Sequence, residues 1–161
     1  MDRFMDKIGD AIAPIAQKMT ANRYLSAIKE GFFGSTPILI AGSIFLLFTS
    51  LPFNGYTEFM ESTFGAGWMD FFYLPYQVSF KLMAIFVVIG MAKSLANYYK
   101  VDSKLAIALS FVGILLLTPV IVTVENVKGL PLDNFSAQGL FVCMIAAALA
   151  VEIYRWCVQK G

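Results

Sequence analysis

An apolar stretch interrupted by two lysines sets the strongest constraint on this chain. Residues 78–98 read VSFKLMAIFVVIGMAKSLANY, with Lys81 near one end and Lys93 near the other. A transmembrane helix needs about 20 mostly apolar residues, and only residues 82–92 separate the two lysines. Either both side chains reach toward the membrane surfaces, or one lies at membrane depth, where an ionisable residue is a candidate functional group.

The composition indicates a membrane protein. Hydrophobic residues make up 58% of the 161 residues and charged residues 14%, whereas a soluble domain has about 25% charged residues. A water-exposed surface of normal size cannot be built from so few charges, so the long apolar segments indicate a small bundle of spanning helices. The net charge of +1 argues against nucleic acid as a partner.

Residues 1–30 are predicted to form amphipathic helices at the cytoplasmic membrane interface. Apolar side chains recur at helical spacing in residues 1–19: Phe4, Ile8, Ile12, Ile15 and Met19. Such a helix lies in the interface rather than across it, although a helix packed on soluble protein has the same pattern. Asn22 is placed to cap a second, short helix that leads into the first span.

Residues 31–161 are predicted to form an all-α integral membrane bundle of about four transmembrane helices. The predicted spans cover residues 33–51, 78–98, 105–124 and 139–158. Thr118-Pro119 predicts a kink in the third span, because a proline frees a backbone carbonyl. Small residues of the first span allow close helix approach; they are Gly34, Ser35, Gly42 and Ser43.

The segment between the first two spans is predicted to be an aqueous loop. Residues 53–74 are rich in glycine and aromatic residues, and they contain acids but neither lysine nor arginine. Aromatic rings with a polar edge collect at the membrane–water boundary, and Tyr56, Trp68, Tyr73 and Tyr76 suit that position. Glu58, Glu61 and Asp70 are interpreted as solvated carboxylates.

The distribution of lysine and arginine predicts that both termini are cytoplasmic. With Lys81 set aside, ten of these residues lie before the first span, at or after the end of the second, or near the C-terminus. One, Lys128, lies in the loop after the third span. Cytoplasmic segments carry the excess of basic residues, which assigns the side with ten to the cytoplasm.

No pattern in the sequence predicts a catalytic residue, a cofactor or a metal site. The chain has no histidine, the commonest general base and metal ligand, and no glycine-rich phosphate loop. Cys143 and Cys157 lie about 21 Å apart on one predicted helix, too far for a disulfide. Glu152 and Arg155 have the spacing of an intrahelical ion pair.

Lys81 is the one candidate for a substrate path. It lies about one helical turn from the aromatic boundary at Tyr73 and Tyr76. A lysine stem can extend that far, which favours an anchor at the outer surface. The alternative is that Lys81 lines a water-filled cavity and helps to hold a polar solute.

Several segments in order resemble a known family. They are MDRFMDKIGDAIAPIAQKMTANRYLSAIKEGF, TPILIAGSIFLL, LPYQVSFKLMAIFVV, LLLTP and AQGLFVCMIAAALAVEIYRW. Together they resemble the N-terminal part of the membrane permease component IIC of the lactose/cellobiose/chitobiose class of the phosphoenolpyruvate-dependent sugar phosphotransferase system. The resemblance covers essentially the whole chain.

The resemblance implies a homodimer, multi-pass in the bacterial inner (cytoplasmic) membrane and its lipid, that translocates a β-linked disaccharide. Cytoplasmic IIB and IIA components are the implied partners, and IIB phosphorylates the sugar. The family's sugar-binding histidine and glutamate lie in a second half, so the resemblance implies a truncated scaffold that is not transport-competent alone. The alternative is a free-standing four-helix membrane interaction protein or a small pore former.

Overall fold

The structure, a computed structural model, describes residues 21–118, 122–124 and 127–160. The amphipathic helix predicted for residues 1–19 lies outside these ranges. In the described ranges the chain is mainly helical, with one short hairpin. The elements are α1 (Arg23–Ser50), α2 (Tyr56–Phe64), α3 (Trp68–Lys81), α4 (Met83–Tyr99), α5 (Ser103–Leu117), β1 (Val122–Val124), β2 (Val127–Gly129), a 3₁₀ helix (Leu132–Phe135) and α6 (Leu140–Lys160).

Helix α1 is one continuous helix of 28 residues. Asn22 caps it as predicted, since the Asn22 side chain accepts a hydrogen bond from the backbone N–H of Tyr24 at 3.0 Å. The prediction of a separate short helix before a span at residue 33 is wrong. No proline precedes Phe33 within the helix, and Gly31 packs inside the helix against α4 instead of ending it.

The apolar stretch 78–98 is two helices rather than one tilted span. Helix α3 ends at Lys81 and α4 begins at Met83, and their axes differ by 44°. Leu82 lies between them, with its backbone N–H still bonded to the Val78 carbonyl at 3.1 Å. The break leaves the Lys81 ammonium in the last turn of α3, where a cation interacts favourably with the helix dipole.

An aromatic cluster replaces the aqueous loop predicted for residues 53–74. Helix α2 and the first half of α3 occupy most of that segment. Trp68 is only 2% exposed, and its ring meets Tyr56 at 5.8 Å and Phe72 at 6.3 Å between centroids. Edge-to-face packing of this kind stabilises a fold beyond the area it buries. Trp68 is therefore packed within the bundle, and the prediction that residues 53–74 form a loop is wrong.

The helix in the third apolar segment is shorter than the predicted span of residues 105–124. Helix α5 ends at Leu117, and Thr118 has an extended backbone with φ −83° and ψ 116°. The residue before a proline is disfavoured in helical geometry, so Thr118-Pro119 ends the helix instead of bending it. The antiparallel strands β1 and β2 follow. The fourth segment forms α6, close to the predicted residues 139–158.

Helix α4 is the centre of the bundle. It packs against α1, α5 and α6, while α3 packs on α1 and α5 on α6. Its inward positions are almost fully buried, as the 0% exposure of Val87, Ala92 and Leu95 shows. The core therefore lies between α1 on one side of α4 and the α5–α6 pair on the other.

Glycines allow α1 to approach its neighbours closely. A Cβ added at Gly31 would lie 2.5 Å from the Val87 carbonyl oxygen, and one at Gly90 would lie 2.8 Å from the Gly31 Cα. A Cβ at Gly42 would lie 2.6 Å from the Ser79 Cβ on α3. At Gly34 an added Cβ meets nothing within 4 Å. The backbone of α1 thus touches α4 near Gly31 and is held to α3 near Gly42.

The outer surface of the bundle is apolar. Two helices, α1 and α6, are long and apolar enough to cross a membrane, and α3 with α4 counts as a third if the bent pair is one span. Helix α5 is apolar but shorter. Phe33, Leu116 and Phe141 are 69%, 80% and 72% exposed, and contiguous exposed apolar surface of this kind marks a membrane or partner interface. These features fit a helical integral membrane protein.

The contrast between Gly31 and Gly34 gives a first prediction. We expect Gly31→Ala to lower the stability of the purified chain by about 1–3 kcal/mol, because backbone atoms of α4 must move to admit the methyl group. The matched control Gly34→Ala, three residues away on the same helix, should be neutral or slightly stabilising. Thermal unfolding in detergent, followed by circular dichroism, measures both. Equal midpoints for the two variants would contradict the close contact.

Candidate functional site

The most connected polar group in the described residues is the Glu152 carboxylate of α6. The Tyr24 hydroxyl donates to Glu152 Oε1 at 2.6 Å, and the Tyr99 hydroxyl donates to the same oxygen. Arg155 Nη1 donates to Glu152 Oε2 at 3.1 Å, which confirms the predicted intrahelical ion pair. We call Arg23, Tyr24, Tyr99, Glu152 and Arg155 the Glu152 cluster.

Two arginines stack on the tyrosines of the Glu152 cluster. The Arg23 guanidinium carbon lies 5.0 Å from the ring centroid of Tyr24 and 5.3 Å from that of Tyr99. The Arg155 guanidinium carbon lies 4.5 Å from the Tyr99 centroid. Each contact is within the range of an attractive cation–π interaction. The cluster carries two positive charges against one carboxylate.

The start of α1, the end of α4 and the C-terminal half of α6 meet in the Glu152 cluster. Tyr24 stands in the first turn of α1, directly after the Asn22 cap, and Tyr99 is the last residue of α4. Lys100, with φ 56°, then ends α4 in the left-handed conformation. Glu152 is 128 residues from Tyr24 and 53 from Tyr99. No local pattern signals such contacts, and the sequence alone indicated only the Glu152–Arg155 pair.

The geometry of the Glu152 cluster is that of a structural tie. Both carboxylate oxygens already accept hydrogen bonds, and the side chains of Glu152 and Arg155 are about one-third exposed, at 29% and 30%. A general acid or base needs an open position beside a reacting group, and the cluster offers none. Its contacts instead lock the ends of α1, α4 and α6 to one another.

Lys81 stands apart from the Glu152 cluster, at the C-terminal end of α3. The side chain is half-buried. Among the described residues no carboxylate lies within ion-pair distance of Lys81, since the Glu152–Arg155 pair is the one salt bridge found there. In these ranges, therefore, the structure places no second candidate functional side chain beside Lys81.

Several openings in the described bundle are large enough for a ligand group. One, of about 270 Å³, lies between α5 and α6 and is mainly apolar, with Thr118 and Asn134 as its polar side chains. Another is a cleft of about 530 Å³ between α1 and α4, with Phe33, Gly34 and Gly90 among its walls. A polar depression of about 390 Å³ adjoins this cleft.

No group of three or more metal-binding side chains occurs within the described ranges. Cys143 is buried and its thiol donates to the Asn134 carbonyl at 3.6 Å, and Cys157 is exposed. Both cysteines are free.

The Glu152 cluster gives a second prediction. We expect Tyr24→Phe to lower stability by about 1–2 kcal/mol, since it removes a hydrogen bond to a charged, partly buried acceptor. Tyr98→Phe is the matched control, because Tyr98 is exposed and sits beside Tyr99 outside the cluster. Thermal unfolding in detergent measures each variant. Tyr24→Phe and Glu152→Gln combined should cost less than the sum of the two, and strict additivity would show that the groups act independently.

Comparison with known proteins places this bundle in a family. The family described as "Phosphotransferase system, EIIC" matches residues 29–161. The cellobiose-specific EIIC component of Geobacillus stearothermophilus is 41% identical over 100% of this chain, and the lichenan permease IIC component of Bacillus subtilis is 36% identical over 100%. The chain spans 38% of the length of each of these relatives.

A solved structure has the same fold. The crystal structure of ChbC, the IIC component from the N,N'-diacetylchitobiose-specific phosphotransferase system, superposes with a TM-score of 0.82 at 41% identity. The match covers 95% of this chain and 38% of ChbC. These findings confirm the resemblance seen in the sequence and do not favour a free-standing interaction protein or pore former. The chain belongs to the EIIC family of the phosphotransferase system.

Proposed function

We propose that this chain is the scaffold and dimer-forming part of a sugar permease of the phosphotransferase system. The permease translocates a β-linked disaccharide of the cellobiose, lactose or chitobiose type across the bacterial cell membrane. Transport is coupled to phosphorylation of the sugar by a IIB component, with IIA as the preceding phosphate donor. Residues 1–30 are proposed to lie at the cytoplasmic membrane interface, and residues 31–161 are proposed to form the part within the membrane.

One observation carries this proposal. The match to ChbC covers 95% of this chain with a TM-score of 0.82 at 41% identity, so the packing around α4 is that of an EIIC transporter and not merely of a helical bundle. The relatives named for cellobiose and lichenan, and ChbC itself, all handle saccharides by their names. These names support a β-linked saccharide as substrate.

The arrangement of the described residues supports a scaffold rather than a complete sugar site. Their strongest polar cluster, around Glu152, is a tie between helix ends. Alternating access needs two substructures that move around a midplane site, whereas α1, α4 and α6 are locked to one another at one end. We therefore propose that the disaccharide binds only when this scaffold is joined by the remaining length that its relatives have.

The Glu152 cluster also supports the proposed orientation. It brings together the first turn of α1, the last turn of α4 and the C-terminal part of α6. Basic residues gather at this end of the bundle, as Arg23, Lys100 and Arg155 show. Excess lysine and arginine is typical of the cytoplasmic side, so this end and both termini are proposed to face the cytoplasm. Lys81, which ends α3 just before the start of α4, then lies toward the outside and lines the entry path of the sugar.

The scaffold role gives a third prediction. We expect the purified chain to be a dimer in mild detergent, measured by light scattering, and to show no heat of binding on titration with cellobiose. The heat-treated chain is the control for nonspecific heats. A monomer at all concentrations would contradict the dimer-forming role. Saturable binding of cellobiose would contradict the claim that the sugar site needs more than this scaffold.

The orientation and the role of Lys81 give a fourth prediction. Two single-cysteine variants, Lys81→Cys and Lys93→Cys, are made in a chain whose native cysteines are replaced by alanine. A membrane-impermeant maleimide should modify Lys81→Cys in intact cells, because that position faces an aqueous path from outside. It should modify Lys93→Cys only after the cells are opened, because Lys93 belongs to the cytoplasmic end.

The two variants test separate claims: Lys93→Cys tests the orientation, and Lys81→Cys tests the sugar path. Modification of Lys93→Cys in intact cells would reverse the orientation. Protection of Lys81→Cys in both intact and opened cells would show that Lys81 faces lipid or protein and would remove it from the sugar path.

A further inference from the structure

The cleft between α1 and α4 changes from polar to apolar along its length. At the end near the Glu152 cluster it begins with the adjoining depression, whose walls include Arg23, Ser26 and Tyr98. Glu30, Ser94 and Asn97 belong to both the depression and the main cleft. The two openings are therefore one continuous surface feature, with a polar head and an apolar groove.

The walls of the cleft follow one face of each helix. On α1 the lining positions recur every three or four residues, the helical period: Arg23, Ser26, Glu30, Phe33, Gly34 and Ile38. On α4 the lining positions recur in the same way: Phe86, Ile89, Gly90, Lys93, Ser94 and Asn97. Gly34 has no side chain, and a Cβ added there would meet nothing within 4 Å, so the cleft is open at this position.

The length of the cleft matches one leaflet of a bilayer. Arg23 and Ile38 stand 15 positions apart on α1, a rise of about 22 Å at 1.5 Å per residue. Half of a hydrocarbon core is about 15 Å, and one headgroup layer adds about 5–7 Å. The polar residues occupy the first part of this length and Phe33, Ile38 and Phe86 the second.

The charges at the polar end form a zwitterionic set. Arg23 lines the depression, Lys93 lines the main cleft, and the carboxylate of Glu30 lines both. A phosphate is bound by guanidinium and ammonium groups through charge-assisted hydrogen bonds, and a primary ammonium is bound by a carboxylate. Hydroxyl and amide groups of Ser26, Ser94 and Asn97 supply further donors and acceptors.

We propose that this cleft binds one phospholipid with a phosphoethanolamine headgroup. The phosphate lies at Arg23 and Lys93, the ammonium at Glu30, and one acyl chain lies along the groove over Gly34. The lipid fills the space on the outer side of the α1–α4 contact, which makes it part of the packing of the scaffold. The site is separate from Lys81 and from any sugar path, and it does not depend on transport.

Native mass spectrometry of the purified full chain in detergent tests the proposal. The probes are palmitoyl-oleoyl phosphatidylethanolamine, phosphatidylglycerol and phosphatidylcholine, each titrated separately. We expect one phosphatidylethanolamine to bind several-fold more tightly than either of the others, because phosphatidylglycerol has no ammonium and phosphatidylcholine has no ammonium N–H. Glycerophosphoethanolamine, which has the headgroup without acyl chains, should not displace the lipid at equal concentration. Equal binding of all three lipids would overturn the proposal.

Single substitutions test the contacts to the lipid headgroup separately from those of the acyl groove. Lys93→Gln should weaken phosphatidylethanolamine binding about fivefold, the effect of one basic residue at a charged membrane surface. Glu30→Gln should remove the preference for phosphatidylethanolamine and leave phosphatidylglycerol binding intact. Lys29→Gln is the matched control, because Lys29 is exposed on α1 beside the cleft and does not line it. Loss of binding in Lys29→Gln equal to that in Lys93→Gln would show only general charge attraction and would overturn the site.

Gly34→Leu tests the groove without disturbing the fold, since an added Cβ at Gly34 meets nothing within 4 Å. Its side chain should occupy the acyl position and reduce lipid binding, with the oligomeric state and thermal midpoint unchanged. Unchanged lipid binding would overturn the proposal. Dissociation of a dimer in this variant would also overturn it, because a second copy rather than a lipid would then fill the cleft.

Discussion

The contact between the backbones of α1 and α4 at Gly31 and Gly90 is the constraint on which the rest of the bundle depends. With no side chains between them the two helices approach until a Cβ at Gly90 would lie 2.8 Å from the Gly31 Cα. In a membrane, helices associate through such close packing, because lipid is as apolar as their side chains. This contact makes α4 the central helix, with α1 on one side and α5 and α6 on the other.

The polar groups reinforce this arrangement at one end. Once α1 and α4 are in contact, Tyr24 and Tyr99 stand close enough to share one carboxylate oxygen of Glu152, and Arg155 takes the other. Hydrogen bonds to an ionised acceptor are stronger than neutral ones, so the cluster holds three helix ends in register. The opposite end is held differently, by the packing of Phe72 on α3 against Phe45 and Phe48 on α1 and by Gly42 against Ser79. Polar contacts thus hold one end of the bundle, and apolar packing holds the other.

The bend between α3 and α4 changes the position of Lys81. If residues 78–98 formed one straight helix, Lys81 and Lys93 would lie on that helix with only apolar residues between them. The 44° bend instead places Lys81 at the end of a separate helix, apart from the Glu152 cluster. Among the described residues Lys81 has no carboxylate partner within ion-pair distance. The packing of the bundle by itself does not indicate that Lys81 belongs to a transport protein; membership of the EIIC family does.

Features that depend on local spacing were predictable from the sequence. The apolar segments, the Asn22 cap and the Glu152–Arg155 pair each involve residues within a few positions of one another, and all are found in the structure. The ordered strings were also sufficient to identify the family. Tertiary structure alone decided the break at Leu82, the burial of Trp68 and the convergence of Tyr24 and Tyr99 on Glu152. These depend on groups up to 128 positions apart, which become neighbours only when the glycine faces of α1 and α4 meet.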